Sequence, residues 1–190
     1  MDEARGECAA TRITGSDDLL SVSGMAKAIN AARVPGTHVM ISLPCTGGAS
    51  WATVHATIRG GPSRIAERRK LFQRLFARAR KVARVAKDHG GWSSLELPRY
   101  NTYWNLVTVR QLIDDFGIFF ADFDGCAFGL GSPDGRLVRK PWRVATGCDP
   151  IYQLLHGRCC SGGARPCFHP GPDHKVHWSP HRNGHRRHSG

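Results

Sequence analysis

The apolar positions of the chain change period several times, and each change marks an element. From Asp17 the run DDLLSVSGMAKAINAAR sets Leu19, Leu20, Met25, Ala28 and Ile29 near helical spacing. Ser16, Asp17 or Asp18 could cap that helix, and Pro35-Gly36 stops it. HVMISL (38–43) is a short apolar run with β-branched members and turn residues on both sides, the pattern of a strand buried on both faces. Between Pro62 and Lys87, Ile65, Leu71, Phe72, Leu75, Phe76, Ala79, Val82 and Ala86 recur at steps of three and four. That spacing predicts a long amphipathic helix, closed by HGG at 89–91. WSSLELP (92–98) reads as a strand, Thr102 to Phe116 as a helix, and IFFADFD (118–124) as a strand after Gly117. Beyond the turn SPDG (132–135), RLVRKPWRVAT offers a fourth strand, which Pro141 would confine to an edge or a bulge.

Strand, helix, strand, helix, strand predicts an α/β domain: a parallel sheet with covering helices. At 190 residues the chain is one domain by size. Residues 1–16 carry no period and read as a frayed start. From about Arg158 the chain is Gly, Pro, Arg and His, with Val176 and Trp178 the main apolar residues after Phe168, so a disordered basic tail is expected. The organisation is then an α/β domain over 1–157 and a Gly/Pro/Cys/His-rich tail over 158–190.

Charge sharpens this picture. The chain carries a formal +12, and within 62–87 ten cationic side chains stand against Glu67 alone. An excess of one sign points to an anionic partner, nucleic acid foremost, with Arg68, Arg74, Arg78 and Lys81 as phosphate contacts. A membrane-surface helix has the same composition, and a merely solvated face is the plainer alternative. No run approaches the roughly 18 apolar residues of a membrane span. Met1 to Gly6 has no apolar core of a secretory signal, so the seven cysteines read as reduced thiols in an intracellular protein. Cys159, Cys160, Cys167, His169, His174 and His177 fall within nineteen residues and offer thiolate and imidazole ligands suited to zinc.

In a parallel α/β sheet, ligands sit beyond the carboxyl ends of the strands. Cys45 after the first strand, Glu96 and Pro98 at the second, and Asp122 to Cys126 at the third all fall there. Asp122 and Asp124 alternate on one strand and face one way, as a metal pair or as a solvated edge. Cys45 could equally be an ordinary buried cysteine, and Glu96 a partner for Arg99.

LPCTGGASW, LELPRYNTYW, DFDGCAFGL and KPWRVAT, in that order across roughly residues 35–150, resemble the motifs of cytosine-5 DNA methyltransferases. The likeness is to a divergent branch found in phage genomes and mobile-element polyproteins. It implies a Rossmann-like methyltransferase fold with S-adenosylmethionine as methyl donor and DNA as partner. Cys45 would then attack carbon-6 of cytosine, and Glu96 would hydrogen-bond or protonate ring nitrogen 3. Arg139 and Arg143 stand where the family places basic residues of its later motif, and Gly47-Gly48 would leave the loop free to admit a base.

Two departures accompany the resemblance. Glu96-Leu97-Pro98 replaces the family's usual Glu-Asn-Val, and residues 1–36 hold no strand followed by a Gly-rich turn, only isolated Gly6, Gly15 and Gly24. The expectation is an N-terminally shortened methyltransferase-like domain whose cofactor half comes from a partner chain. Two other readings stand beside it. One is a noncatalytic nucleic-acid-binding module or mobile-element polyprotein fragment, with zinc in its tail; the other is a truncated reading frame without activity.

Overall fold

The computed structural model describes residues 9–49, 57, 61–132 and 135–160. Its elements are α1 (Val22–Ala32), β1 (His38–Ser42), α2 (Gly61–Asp88), β2 (Trp92–Pro98), α3 (Val107–Phe116), β3 (Phe119–Asp124), β4 (Pro141–Thr146) and α4 (Asp149–Leu155). Short 3-10 turns stand at Thr46–Gly48, Thr102–Asn105 and Gly125–Phe128. The four strands form one sheet in the order β1-β2-β4-β3. β1 and β2 are parallel, and β4 is antiparallel to both β2 and β3. The fold is therefore α/β with a mixed sheet: β1, β2 and β3 point one way, and β4 returns between β2 and β3.

That placement of β4 differs from the edge position that Pro141 suggested. Pro141 is the first residue of the strand, opposite Asp124, so its missing N–H falls at the entry to the ladder rather than inside it. The following Val144, Ala145 and Thr146 are almost wholly buried. Arg143 lies directly across from Asp122 and donates two hydrogen bonds to its carboxylate, at 2.7 and 2.8 Å. β1 takes the edge instead. It is not buried on both faces: Met40 is half exposed and Ser42 is exposed.

The core lies on one face of this sheet. Phe72, Phe76, Ala79 and Ala83 of α2 and Val109 and Leu112 of α3 cover Ile41, Leu95, Leu97 and Ala145. α1 packs on α2 through small residues, Ala28 and Ala32 against Val82 and Ala86. It starts at Val22, later than the sequence pattern suggests, because Ser21 is the cap: its hydroxyl accepts the Gly24 N–H at 2.9 Å. Asp17 has another task, accepting the Thr14 N–H at 2.8 Å and pairing with Lys27 at 2.6 Å. Residues 13–21 are thus a tied turn with Ile13 and Leu19 packed inward, rather than part of a frayed start. The helix expected from Thr102 is split at Leu106 into a 3-10 turn and α3, and Gly117, at φ +60°, closes α3 in the left-handed conformation.

At the far edge, the chain after α4 runs along β3: Asp124 N–H donates to Arg158 O at 3.0 Å and Gly157 N–H to Asp122 O at 3.2 Å. The β3–β4 pairing can be tested through its ion pair. Hydrogen bonding to Arg143 holds the Asp122 carboxyl below its ordinary value. The resulting stability is present above the unfolded-state pKa and is lost as pH falls through the folded one. Asp122→Asn should therefore cost on the order of 1–3 kcal/mol at neutral pH. Urea melts at neutral and acid pH should show the gap to wild type closing in acid; an equal gap at both would contradict an ionic origin.

Candidate functional site at the carboxyl edge of the sheet

The three like-directed strands end along one edge, and β4 begins there because it runs the other way. Ser42 is in register with Glu96, and its hydroxyl donates to Glu96 Oε2 at 2.7 Å. Cys45, half-buried, follows three residues later at the opening of the first 3-10 turn. Lys140 immediately precedes β4 and lies over the Trp142 ring, 4.1 Å from its centroid. Burial pushes the Glu96 carboxyl up, opposed by the Ser42 hydrogen bond and by the Lys140 charge. Burial and then the Glu96 charge push the Cys45 thiol up, while Lys140 pulls it down.

These shifts couple the two groups. An ionised Glu96 disfavours a Cys45 thiolate, and a protonated Glu96 removes that obstacle. The arrangement favours a single negative charge, on Glu96 or on Cys45, within electrostatic reach of Lys140. In one of those states Cys45 is a nucleophile and Glu96 an acid able to donate to a ring nitrogen.

The residues after β2 hold the cysteine loop in place. Asn101, almost fully buried, donates from Nδ2 to Cys45 O at 2.9 Å and accepts the Tyr103 N–H at 2.9 Å. Thr102 Oγ1 donates to Gly48 O at 3.3 Å. A Cβ at Gly47 would run into the Tyr103 hydroxyl, and one at Gly48 into Asn101 Oδ1 and, at 2.6 Å, Tyr103 Cδ1. The two glycines are therefore required by close packing and are buried, not a loose hinge that admits a base. The Tyr103 hydroxyl is buried with no hydrogen-bond partner among the described residues, within electrostatic reach of Cys45, Arg68 and Arg69. Ser42, Asn101, Tyr103 and Lys140 are site residues that sequence reasoning missed. Their signal was the NTYW that follows LELPRY, and the lysine of KPWRVAT.

The other candidates are distributed unevenly. Arg68 joins the site, its Cβ packed against Gly47. Arg139 and Arg143 reach the same edge but bind carboxylates there: Arg139 lies 3.1 Å from Asp124, and Arg143 is bidentate on Asp122. Asp122 and Asp124 are accordingly neither a bare metal pair nor a solvated edge; Arg99 also stands 3.4 Å from Asp122, and Asp124 is wholly buried. Arg74 and Lys81 are exposed on the side of α2 opposite its buried row, and Arg78 is half-exposed, so the structure does not bring these three to Cys45. Cys159 accepts a hydrogen bond from Arg99 Nη2 at 3.4 Å, and the Cys160 N–H donates to Asp124 at 3.0 Å. Cys167, His169, His174 and His177 lie outside the described residues. Among the described residues no cluster of three or more His, Cys, Asp or Glu could hold a metal, and no helix is long and apolar enough to cross a membrane.

The resemblance would place S-adenosylmethionine on a strand and Gly-rich turn ahead of β1. Among the described residues, those ahead of β1 form a turn and α1, with no strand and no Gly-rich turn. Gly24 is packed against the Asp17 and Asp18 carbonyls, where a ligand has no room. No protein-family model matches the chain, and no curated protein or solved structure matches it either.

The coupling predicts how Cys45 reacts. Glu96→Gln removes the charge that raises the thiol pKa, so the pH profile of Cys45 alkylation should move to lower pH. Iodoacetamide labelling read on the Cys45 peptide by mass spectrometry would show this; an unmoved profile would mean that the two side chains do not interact.

Proposed function

We propose that the Cys45–Glu96 edge activates a cytosine base, as the base-handling part of a Rossmann-like, cytosine-5 DNA methyltransferase-like domain. One observation carries the reading: two neighbouring parallel strands deliver a thiol and a carboxyl to one edge, with Ser42 fixing the carboxyl and Lys140 supplying the compensating charge. A Cys45 thiolate adds to carbon-6 and forms the S–C6 bond. The C5=C6 electron pair moves into the ring, and nitrogen 3 takes the Glu96 proton. Carbon-5 is now nucleophilic. In water it takes a proton from solvent; loss of a proton from carbon-5 then restores the double bond, expels the thiolate and returns the nitrogen proton to Glu96.

Methyl transfer from S-adenosylmethionine is not assigned to these residues, since α1 is the element described ahead of β1. β1 has no strand partner on its outer side among the described residues, and a partner chain carrying the cofactor would add there. The reaction above needs no cofactor, which makes it testable on this chain alone. In deuterated water, the protein should exchange the C5 hydrogen of cytosine in an oligonucleotide. Cys45→Ser should abolish the exchange and Glu96→Gln should slow it about 10²-fold or more.

A second reading, a binding module without chemistry, is favoured by the raised thiol pKa of Cys45 and by the exposed cations of α2. Salt-sensitive oligonucleotide binding without Cys45-dependent exchange would decide for it.

A further inference from the structure

α2 and α3 leave a groove between them on the sheet's covered face. Its volume is about 400 Å³, and it is lined by Gln73, Phe76, Ala77, Arg80, Lys81, Arg84 and Thr108. Three of these side chains are cationic and none is acidic. The nearest carboxylate, Asp115, is shared between Arg80 at 2.8 Å and Arg84 at 3.2 Å, so it offsets one positive charge of three. The opposite wall does not supply the balance: α3 starts there with no side-chain cap and no acid in its first turn. Phe76 at the base is only 1% exposed, yet most of the lining that remains accessible is apolar, so the charges stand on a largely apolar wall.

The face of α2 that lines the groove extends, one turn before Gln73, to Arg69 on the side of the candidate site. Arg69, Gln73, Ala77, Arg80 and Arg84 follow one another on the α3-facing side of α2. At about 1.5 Å per residue, Arg69 and Arg84 stand about 22 Å apart along the helix. Arg69 acts electrostatically on Tyr103, whose ring closes over Gly47 and Gly48 beside Cys45.

We infer that this groove seats the phosphodiester backbone of a single nucleic-acid strand leading away from the Cys45 edge. The inference rests on the base-handling reading for its direction but not for its charge. Phosphates meet Lys81, Arg80 and Arg84 along one wall and Thr108 on the other, with Gln73 between them and Arg69. An apolar helix docked here would have to cover three cationic side chains that share one carboxylate, whereas phosphates pair with them. A phosphate strand needs only the cations.

The test compares two variants of equal charge. Lys81→Glu with Thr108→Glu reverses the groove; both positions are exposed, and an acid in the first turn of α3 favours that helix. Arg12→Glu with Arg33→Gln removes the same net charge at exposed sites away from the groove. Binding of a short fluorescent single-stranded oligonucleotide is followed by anisotropy between about 50 and about 200 mM salt. The groove variant should lose at least about tenfold in affinity, with a salt slope shallower by about 0.7 for each phosphate contact removed, and the charge-matched control less than about threefold.

Equal losses in the two variants would overturn the inference in favour of a diffuse field. So would unchanged oligonucleotide affinity together with loss of binding to an acidic amphipathic peptide. Groove-dependent affinity without any C5 exchange in the wild type sinks the cytosine reading and leaves the groove. Exchange that survives in the groove variant with unchanged affinity does the reverse.

Discussion

Burial of the aromatic row of α2 against β2 is the contact on which the rest depends. Phe72, Phe76, Leu95 and Leu97 are almost wholly removed from solvent, and each such side chain contributes about 1.5–3 kcal/mol. The row also reaches the site. Phe72 lies against the Tyr103 ring, with centroids 4.2 Å apart, and Tyr103 lies against Gly47 and Gly48. A continuous stack thus runs from the core to the turn that carries Cys45, with Asn101 fastening the backbone of that turn. The position of the thiol is set by hydrophobic packing two layers below it.

Electrostatics on the same edge divide into two groups. Along β3 and β4, Asp122 and Asp124 pair with Arg143, Arg139 and Arg99, and these charges hold strands and the returning chain together. Along β1 and β2, the half-buried carboxyl and thiol are stabilised as charges by Ser42, by Lys140 and, for the thiol, by a backbone hydrogen bond. The first group is nearly neutralised and structural. The second is under-compensated, and buried ionisable groups in that condition gather where proton transfer is performed. The antiparallel course of β4 unites them, because it brings Lys140 to the edge at one step and Arg143 three residues later.

Much of this was legible in the sequence. The period of α2 gave Phe72, Phe76, Ala79, Val82 and Ala86 of its buried row but missed Ala83 and included the exposed Leu71, and the apolar runs gave β1, β2 and β3. Cys45 and Glu96 could be placed on one edge from strand order alone. The strand order of β4 was not legible: Pro141 signals an edge, and nothing local reveals that it enters a ladder at its first residue opposite Asp124. The pairing of Asp122 with Arg143 is likewise a cross-strand fact, twenty-one residues apart. Gly47-Gly48 looked like freedom because glycine is permissive, yet here it answers to close approach by Tyr103 and Asn101. The cap of α1 was misplaced because three acids and hydroxyls precede Ser21, and only the geometry shows which of them meets a helix N–H.

The most direct test of the central claim is covalent capture of Cys45 by a pyrimidine. An oligonucleotide carrying pyrimidin-2-one in place of cytosine lacks the 4-amino group, so its carbon-6 is more electrophilic and a thiol adduct accumulates. Incubation with the intact chain, digestion and mass spectrometry should place the adduct on the Cys45 peptide, with little formed by Glu96→Gln. No adduct, or one confined to the exposed Cys159, would contradict the assignment of the Cys45–Glu96 edge as a base-activating site.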